Sequence, residues 1–504
     1  MDFCGSGSFD RGLEEGGGIE FQWGIDWAER ALHSYRANIE EPEKLNLFLG
    51  SVNDYLAKAI QGTKDSRVAT VGDVDLLAAG SPCPGFSVLQ RDRNSVQSLR
   101  NCSLVASVCS YVDFYMPTYL VLENVIGMAR NPSNAKDLNV FSQVLCCLVS
   151  MGYQVQQLLM DPGHYGSCQS RQRIFIIATA PGHDAPAPPP QTHTCSELET
   201  YARAIGYAAN GLPFGKRKHD VCPFVSLTAN EAFQDLPDIG DSHVQTCIAA
   251  PDHRTCRHEN SKKRALIQMV PRWPYGQGFI QAVAKGKMSK NAIATYAWQN
   301  KNRASENSKS WARIYPDRLV GCLTTDIKPH DSFLGRTLHY SQHRTITVME
   351  ARRVQGLPDG EIILGTPSQQ WCQIGNGVDR KVAFAIGLQI ADACRETSAT
   401  TGDATASSLP GVTETTPSQI RPIVVRKPLH SASCESFSAV AVIEKNIKPG
   451  DVAQQTCSGE VSVSDSVEVA FRGTLVSQSM VQGVSEVPHR QTTRKDTIEY
   501  IIID

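Results

Sequence analysis

Short apolar runs alternate with segments of helical periodicity over residues 1–180. Short continuous apolar runs are typical of strands buried in a parallel sheet, whereas apolar residues recurring about every three or four positions indicate amphipathic helices. We predict strands over residues 19–25, 74–79, 119–122, 153–159 and 173–178. We predict helices over residues 27–38, 99–112 and 140–151. This alternation predicts an α/β fold with a doubly wound sheet.

The pattern changes after residue 180. Residues 181–190 contain five prolines, which predicts a linker, and residues 191–343 lose the alternation and are rich in Pro, Gly and basic residues. Helical spacing returns over residues 378–394 and suits a helix packed on the first domain. Of the 22 residues from 397 to 418, 11 are Ser or Thr, which predicts disorder. We therefore predict a first domain over 1–180, an inserted irregular region over 181–343, a return to the first domain over 344–395 and a disordered tail over 396–504.

Composition narrows the class of protein. The 504-residue chain is 41% apolar and carries a formal charge of −2, so no global basic field indicates a nucleic-acid partner. Residues 251–310, however, contain 12 Lys/Arg against 3 Asp/Glu, which is typical either of a solvated face or of a phosphate-binding surface. The 16 cysteines include no CxxC pair and indicate reduced thiols in cytosol or nucleus. No apolar stretch is long enough to predict a membrane span.

One cysteine stands in a tight turn directly after a predicted strand. Residues 80–87 read Gly-Ser-Pro-Cys-Pro-Gly-Phe-Ser and follow the apolar run at 74–79. Ligands and reactive groups in doubly wound sheets gather at the carboxyl ends of strands. Cys83 is therefore a candidate nucleophile, although a small buried residue filling a loop would give the same pattern.

A Gly-x-Gly turn opens the chain. Gly5 and Gly7 precede a helix-like segment, and Asp26 follows the predicted strand at 19–25. Such a turn lets the backbone approach a ligand, and an acid at the end of the second strand is suited to a ribose hydroxyl. The pattern favours a nucleotide-type cofactor, against the alternative of a surface turn and a helix-capping acid.

Two further polar groups flank predicted strands. Glu123 and Asn124 follow the run at 119–122, which suits either a site carboxylate or a solvated acid at a helix start. Arg171 and Arg173 alternate before the run at 174–178, so in an extended segment their side chains would point the same way. Two guanidinium groups on one face need a carboxylate or phosphate partner, which indicates a site.

Taken in order, these motifs resemble those of the cytosine-5 DNA methyltransferase family. The resemblance covers residues 1 to about 395 and is carried by the cofactor loop at 3–7, Asp26, the Pro-Cys loop at 80–87, Glu-Asn-Val at 123–125, Gln-x-Arg-x-Arg at 169–173 and the segments 350–358 and 375–378. The stretches Tyr-Val-Asp-Phe-Tyr at 111–115 and Leu-His-Tyr-Ser-Gln-His-Arg at 338–344 are similar to the eukaryotic maintenance-type branch, with fungal relatives nearest.

The resemblance implies a fold, a reaction and a partner. The fold would be the mixed doubly wound sheet of S-adenosylmethionine-dependent methyltransferases, with residues 181–343 as the target-recognition region. Cys83 would attack C6 of a flipped-out cytosine, Glu123 would supply a proton to the ring, Arg173 with Arg171 would orient the base, and Asn124 would support the nucleophile loop. The residues implied for S-adenosyl-L-methionine are Phe3, Gly5, Gly7, Asp26, Trp27, Pro82, Asn376 and Val378. The implied partners are double-stranded DNA and chromatin-associated recruiting proteins, in the nucleus.

The chain departs from the family pattern at four positions. Met1 stands where the family has an aspartate, so we expect a truncated first strand with lower stability or cofactor affinity. Ser51 stands where an acid is expected, Met349 replaces an arginine, and Asp379 replaces a common proline. None belongs to the set of Cys83, Glu123 and Arg173, so we expect the chemistry to be intact.

Two alternative functions and a metal site stay open. A cytosine-5 methylase acting on transfer RNA would share the catalytic loop, and a catalytically silent DNA- or chromatin-binding remnant would fit the short first strand. Zinc-capable side chains cluster in the recognition region, but their spacing fits no strong zinc pattern and incidental loop residues are favoured. These candidates are His243, Cys247, His253, Cys256 and His258.

Overall fold

The computed structural model describes most of the chain up to residue 406. The described residues are 3–82, 86, 95–129, 139–195, 206–207, 213–214, 222–240, 250, 252–256, 259–289, 291, 294, 307–406, 441–442, 468–474 and 497–503. The chain divides into two compact units, Met1–Ala399 and Thr400–Asp504. No helix in the described part of the chain is long and apolar enough to cross a membrane.

The elements alternate through the first 180 residues and become short after them. The α-helices are α1 Ser8–Glu15, α2 Glu29–Arg36, α3 Val52–Ile60, α4 Val96–Tyr115, α5 Val140–Ser150, α6 Ala229–Phe233, α7 Ser261–Met269, α8 Phe279–Ala284, α9 Val348–Val354, α10 Pro367–Asn376 and α11 Arg380–Ala406. The strands are β1 Trp23–Asp26, β2 Asn46–Leu49, β3 Leu76–Gly80, β4 Tyr119–Val125, β5 Gln154–Met160, β6 Gln169–Ser170, β7 Arg173–Thr179, β8 His193–Thr194, β9 Gly206–Tyr207, β10 Pro213–Phe214, β11 Phe224–Val225, β12 Ala312–Arg313, β13 Val320–Gly321, β14 Arg336–Leu338, β15 Ala441–Val442, β16 Glu468–Thr474 and β17 Thr497–Ile503.

The central sheet is mixed, which confirms the predicted fold class. Its four strands lie in the order β3-β4-β7-β5, with β3 and β4 parallel and β7 antiparallel to both of its neighbours. Strands β1 and β2 form a separate parallel pair. The backbone N–H of Cys4 donates to Ile25 O at 3.0 Å, and a Cβ placed on Gly80 would lie 3.9 Å from Phe3 O. The segment of Phe3 and Cys4 therefore lies between β1 and β3.

The first predicted strand and helix are shorter than the pattern indicates. The strand predicted over 19–25 is regular only from Trp23, because the Phe21 N–H donates to the Glu14 carboxylate at 2.8 Å rather than to a neighbouring strand. The helix predicted over 27–38 ends at Arg36, and the Asn38 side chain donates to the Ser34 carbonyl at 2.7 Å beyond that end. Side-chain hydrogen bonds of this kind compete with regular structure at element ends.

Apolar cores lie on both faces of the sheet. One contains Tyr55, Val108 and Leu148 from helices α3, α4 and α5. The other contains Leu13 of α1 and Ile386 of α11, so the last helix packs on the first domain, as the spacing over 378–394 predicts. The contact is close, because a Cβ on Gly12 would lie 2.4 Å from that of Ala383.

The second unit is described at the end of α11 and at three strands. Strands β15, β16 and β17 form an antiparallel sheet in that order. The sequence predicts disorder over 396–504, and the structure differs from it at these strands and at the end of α11. For the rest of that range the disorder stays a prediction that falls outside the described residues.

Candidate active site

The functional candidates meet at one edge of the sheet because of its topology. Strand β3 ends at Gly80, which pairs with Glu123 near the end of β4. Strand β7 runs antiparallel to β4, so its first residue, Arg173, pairs with Val125 at this same edge. Parallel strands that end together bring side chains from distant parts of the sequence into one site.

Glu123 and Arg173 form a nearly buried ion pair. Arg173 Nε lies 3.0 Å from Glu123 Oε1, and the two side chains are 15% and 12% exposed. Burial raises the pKa of the Glu123 carboxyl, and the charges of Arg173 and Arg171 oppose that rise. A carboxyl with a raised pKa holds a proton more readily near neutral pH, which suits a general acid.

Asn124 fastens the segment that leads into the Pro-Cys loop. Its Nδ2 donates to Ser81 Oγ at 2.8 Å, and Ser81 is buried two residues before Cys83. Pro82 is half-buried next to Ser81, and beyond the loop Phe86 is again buried in the core. Cys83 itself, the predicted nucleophile, lies outside the described residues.

Arg171 has partners that the sequence does not predict. Residues 171–172 separate β6 from β7, so the two arginines do not belong to one extended strand as expected. The Arg171 guanidinium donates to the carbonyls of Leu323 at 2.7 Å, Gly375 at 2.9 Å and Gly377 at 3.2 Å. It therefore connects Leu323 and the last turn to the sheet, and its part in orienting the base stays a prediction.

Cys322 is a residue of this site that the sequence analysis missed. Its Sγ lies 3.7 Å from Arg171 Nη1 and 3.9 Å from Arg173 Nη2, so both guanidinium groups reach it. Cys322 is exposed as a residue. Desolvation of its sulfur raises the pKa of the thiol, but the charges and hydrogen bonds of Arg171 and Arg173 outweigh that effect and lower the pKa. The position follows β13, which pairs with β6 only in the folded chain, so no local signal marks it.

The glycine loop and the end of β1 form a cradle. Asp26 Oδ2 accepts the Gly5 N–H and Oδ1 accepts the Ala28 N–H, both at 2.8 Å. A Cβ on Gly5 would meet nothing within 4 Å, so its backbone faces open space. Trp27 is 83% exposed, and Phe3 is half-buried at the start of the loop. Open backbone, an acid at the strand end and an uncovered indole fit the nucleoside part of S-adenosylmethionine.

The last turn lies against this loop. Val378 is buried, and its carbonyl accepts the hydroxyl of Ser8, the residue after Gly7, at 2.9 Å. Asn376 is exposed two positions earlier. Asp379, which replaces the family's proline, caps α11 by accepting the Lys381 N–H at 3.0 Å. The cap offsets the loss of a rigid proline at the helix start.

The other departures also have structural roles. The Ser51 hydroxyl, where an acid is expected, caps α3 by accepting the Asn53 N–H at 3.2 Å. Met349, where an arginine is expected, is buried at 4% exposure in α9.

The zinc candidates do not assemble around His253. Its Nδ1 lies 3.0 Å from Thr347 Oγ1 and its Nε2 lies 2.8 Å from Pro237 O, so both ring nitrogens have protein partners. Cys256 is buried in an apolar cluster. Over the part of the chain that the structure describes, no three potential ligands come together. His243, Cys247 and His258 lie outside it.

Substituting Gly7 by alanine should weaken binding of S-adenosylmethionine by tenfold or more. Gly7 has φ +79°, and an added Cβ would lie 2.3 Å from the buried Tyr35 ring, so the cofactor loop must shift. Isothermal titration calorimetry measures the effect. The control is Gly17→Ala, where φ is +91° but a Cβ meets nothing within 4 Å. If both variants lose the same cofactor affinity, backbone strain alone explains the effect and the contact with Tyr35 does not.

Three buried carboxyls should make the protein more stable at about pH 6 than at about pH 8. Burial raises the pKa values of Asp10, Asp161 and Asp379 to about 7. A raised folded-state pKa contributes stability below it, and that stability is lost as pH rises through the folded value. Denaturant unfolding at both pH values measures the difference, and Asp379→Asn should reduce it. A pH dependence of stability that Asp379→Asn leaves unchanged would contradict the assignment.

Comparisons with known proteins give a family and distant relatives. The profile of the C-5 cytosine-specific DNA methylases matches residues 3–392. The chain is 28% identical over 464 residues to DNA (cytosine-5)-methyltransferase PliMCI of Paracentrotus lividus, covering 77% of this chain and 28% of that protein. It is 27% identical over 463 residues to DNA (cytosine-5)-methyltransferase 1 of Mus musculus, with the same coverage of 77% and 28%.

The chain thus spans about 28% of the length of these curated relatives. The solved structure of S. pombe Dnmt2 methyltransferase aligns with a TM-score of 0.40 and 14% identity, covering 77% of this chain and 97% of that one. A likeness of that level supports no argument about function.

Proposed function

Because the chain belongs to the family of C-5 cytosine-specific DNA methylases, we propose that it transfers a methyl group from S-adenosyl-L-methionine to C5 of cytosine in DNA. The observation that carries the proposal is the Glu123–Arg173 pair, almost buried at the strand edge beside the segment that leads to Cys83. A carboxyl held there with a raised pKa is suited to protonate a ring that a thiolate attacks.

The residues divide the chemistry among them. The Cys83 thiolate attacks C6, a C–S bond forms, and the C5–C6 π electrons shift onto the ring while Glu123 gives a proton to N3. When bound, S-adenosylmethionine would supply the methyl group to C5 and leave as S-adenosylhomocysteine. A base removes the C5 proton, the C–S bond breaks, Cys83 leaves as thiolate and the N3 proton is returned. Arg173 holds the Glu123 carboxylate in place and orients the base, and Asn124 supports the loop.

Cofactor binding is proposed for the cradle and the turns beside it. Asp26 accepts the ribose hydroxyls and Trp27 covers the adenine, while the open backbone at Gly5 and the Gly7 turn approach the methionine part. The remaining proposed contacts are Phe3, Pro82, Asn376 and Val378. The support for Asn376 and Val378 is the Ser8–Val378 hydrogen bond of 2.9 Å, which brings the last turn to the glycine loop.

The finer assignments are supported by sequence likeness. The stretches at 111–115 and 338–344 favour a maintenance-type, fungal-like enzyme acting on double-stranded DNA in the nucleus, recruited by chromatin-associated proteins. Residues 1–180 with 344–395 act as the catalytic domain and 181–343 as the target-recognition region. The contact of Arg171 with the Leu323 carbonyl at 2.7 Å supports this arrangement, because it brings the 181–343 region to the site.

Methyl transfer from labelled S-adenosylmethionine tests the proposal directly. Duplex DNA, hemimethylated DNA and transfer RNA are offered as acceptors to wild-type protein and to Cys83→Ala. We expect label in DNA, lost in the variant. Label found only in transfer RNA would show that transfer RNA, and not DNA, is the substrate. Wild-type protein that binds DNA but not S-adenosylmethionine would be a silent remnant.

A further inference from the structure

Two aromatic side chains stand uncovered in the recognition region. Trp273 is 69% exposed and Tyr275 is 44% exposed, and their rings meet edge to face with centroids 5.1 Å apart. Large aromatic side chains exposed as a pair are typical of binding surfaces rather than of ordinary protein surface.

One buried and one half-buried arginine hold the segment that presents this pair. Arg313 is fully buried, and its Nε donates to the carbonyls of Val270 at 3.2 Å and Pro271 at 3.1 Å. After the pair, the carbonyl of Gly276 accepts Arg336 Nη1 at 2.5 Å. The segment is thus anchored on both sides of the exposed rings. A rigid platform loses little conformational entropy when a ligand stacks on it.

Arginines lie beside the segment that carries the pair. The guanidinium carbons of Arg318 and Arg336 lie 4.4 Å and 4.5 Å from the centre of the Tyr315 ring, and that ring packs against Gly276, where an added Cβ would lie 2.0 Å away. Arg272 and Arg318 are exposed, and neither forms an ion pair with a carboxylate of the described residues. Exposed guanidinium groups without carboxylate partners are available to phosphates.

We propose that Trp273 and Tyr275, flanked by Arg272 and Arg318, form a stacking site for an unpaired DNA base outside the catalytic pocket. Stacking needs a free base face, which a closed duplex does not offer, and flanking guanidinium groups bind the phosphates on either side. The inference rests on the proposed function, because DNA is taken as the substrate. The proposed reaction removes a base from the stack. The protein would therefore bind DNA with unpaired bases near the target more tightly than closed duplex DNA.

An oligonucleotide without cytosine separates this site from the catalytic pocket. Fluorescence anisotropy measures binding of a thymidine single strand of about 20 nucleotides and of the matching adenine–thymine duplex. We expect the wild-type protein to bind the single strand more tightly, and Trp273→Ala to weaken that binding about five- to tenfold or more. Trp273→Phe, which keeps a stacking ring, should restore most of the affinity.

Controls separate stacking from charge and from general exposure. Phe224→Ala removes another exposed aromatic side chain, 58% exposed on β11, and should leave binding unchanged. The slope of log affinity against log salt concentration measures the number of phosphate contacts. Arg272→Gln and Arg318→Gln should each reduce that slope by about one contact, whereas Trp273→Ala should leave it unchanged.

The inference and the proposed function fail in different ways. Equal binding by Trp273→Ala and wild type, in protein that methylates cytosine-containing DNA, would overturn the stacking site alone. So would equal losses in Trp273→Ala and Phe224→Ala. Wild-type protein that neither binds nor methylates any DNA would overturn the proposed function instead.

Discussion

Glu123→Gln should lower kcat for methyl transfer by about 10²–10⁴-fold while leaving the protein folded. Glutamine has nearly the same shape but cannot give a proton to N3, and it loses the charge that pairs with Arg173 Nε at 3.0 Å. The affinity for S-adenosylmethionine should change little, because Glu123 is not among the side chains proposed to contact the cofactor. Initial rates at saturating DNA and cofactor measure the effect.

Glu29→Gln is the matched control for this variant. Glu29 is an exposed acid at the first turn of α2, so the same change there should leave kcat as in wild type. If kcat of Glu123→Gln stays within about twofold of the wild-type value, Glu123 is not the general acid, because general acid catalysis contributes a much larger factor to the rate.

Glu350→Ala should cost about 3–5 kcal/mol of unfolding free energy. The Glu350 side chain is fully buried and accepts Arg344 Nη1 at 2.8 Å and Nη2 at 2.6 Å, together with the Thr347 N–H at 2.7 Å. Alanine would leave the Arg344 guanidinium buried without its carboxylate and would remove the capping box that begins α9. Denaturant or thermal unfolding measures the loss.

An exposed ion pair provides the control for Glu350. Glu41 pairs with Lys44, and both side chains are more than half exposed. Removing it should cost less than about 1 kcal/mol because solvent screens the pair. Similar losses for Glu41→Ala and Glu350→Ala would mean that burial does not govern the effect.

The Glu350 contribution should also depend on pH in a definite direction. Burial alone would raise the pKa of Glu350, but Arg344 and its hydrogen bonds lower that pKa from 4.5 to about 2. A lowered pKa gives stability that is present above the unfolded value and is lost as pH falls through the folded value. The difference between wild type and Glu350→Ala should therefore shrink from pH 4.5 towards about 2.

The sequence located the strand ends because each apolar run is followed at once by a polar motif. Glu123, Asn124 and Asp26 could be placed at one edge by that rule, since parallel strands end together. The Glu123–Arg173 pair needed one more fact, the antiparallel direction of β7, which the residues themselves do not signal. The resemblance to a family implied a role for Arg173 in the site but not this direction.

Contacts between distant segments could not be read from the residues. Cys322 reaches Arg171 and Arg173 only because β13 pairs with β6, about 150 positions earlier in the chain. The buried Arg313, which holds the carbonyls before Trp273, looks like a surface cation in the sequence. The predicted bounds of strands and helices were wrong where a side chain forms a hydrogen bond with the backbone, as the Glu14 carboxylate does with the Phe21 N–H.

Covalent trapping on 5-fluorocytosine tests the central claim most directly. Fluorine at C5 cannot leave as a proton, so a Cys83 adduct formed on duplex DNA with S-adenosylmethionine cannot be released. We predict a denaturation-resistant protein–DNA complex that forms with wild-type protein and disappears with Cys83→Ala. A complex that persists in Cys83→Ala, or no complex from folded protein that binds both DNA and cofactor, would contradict the account.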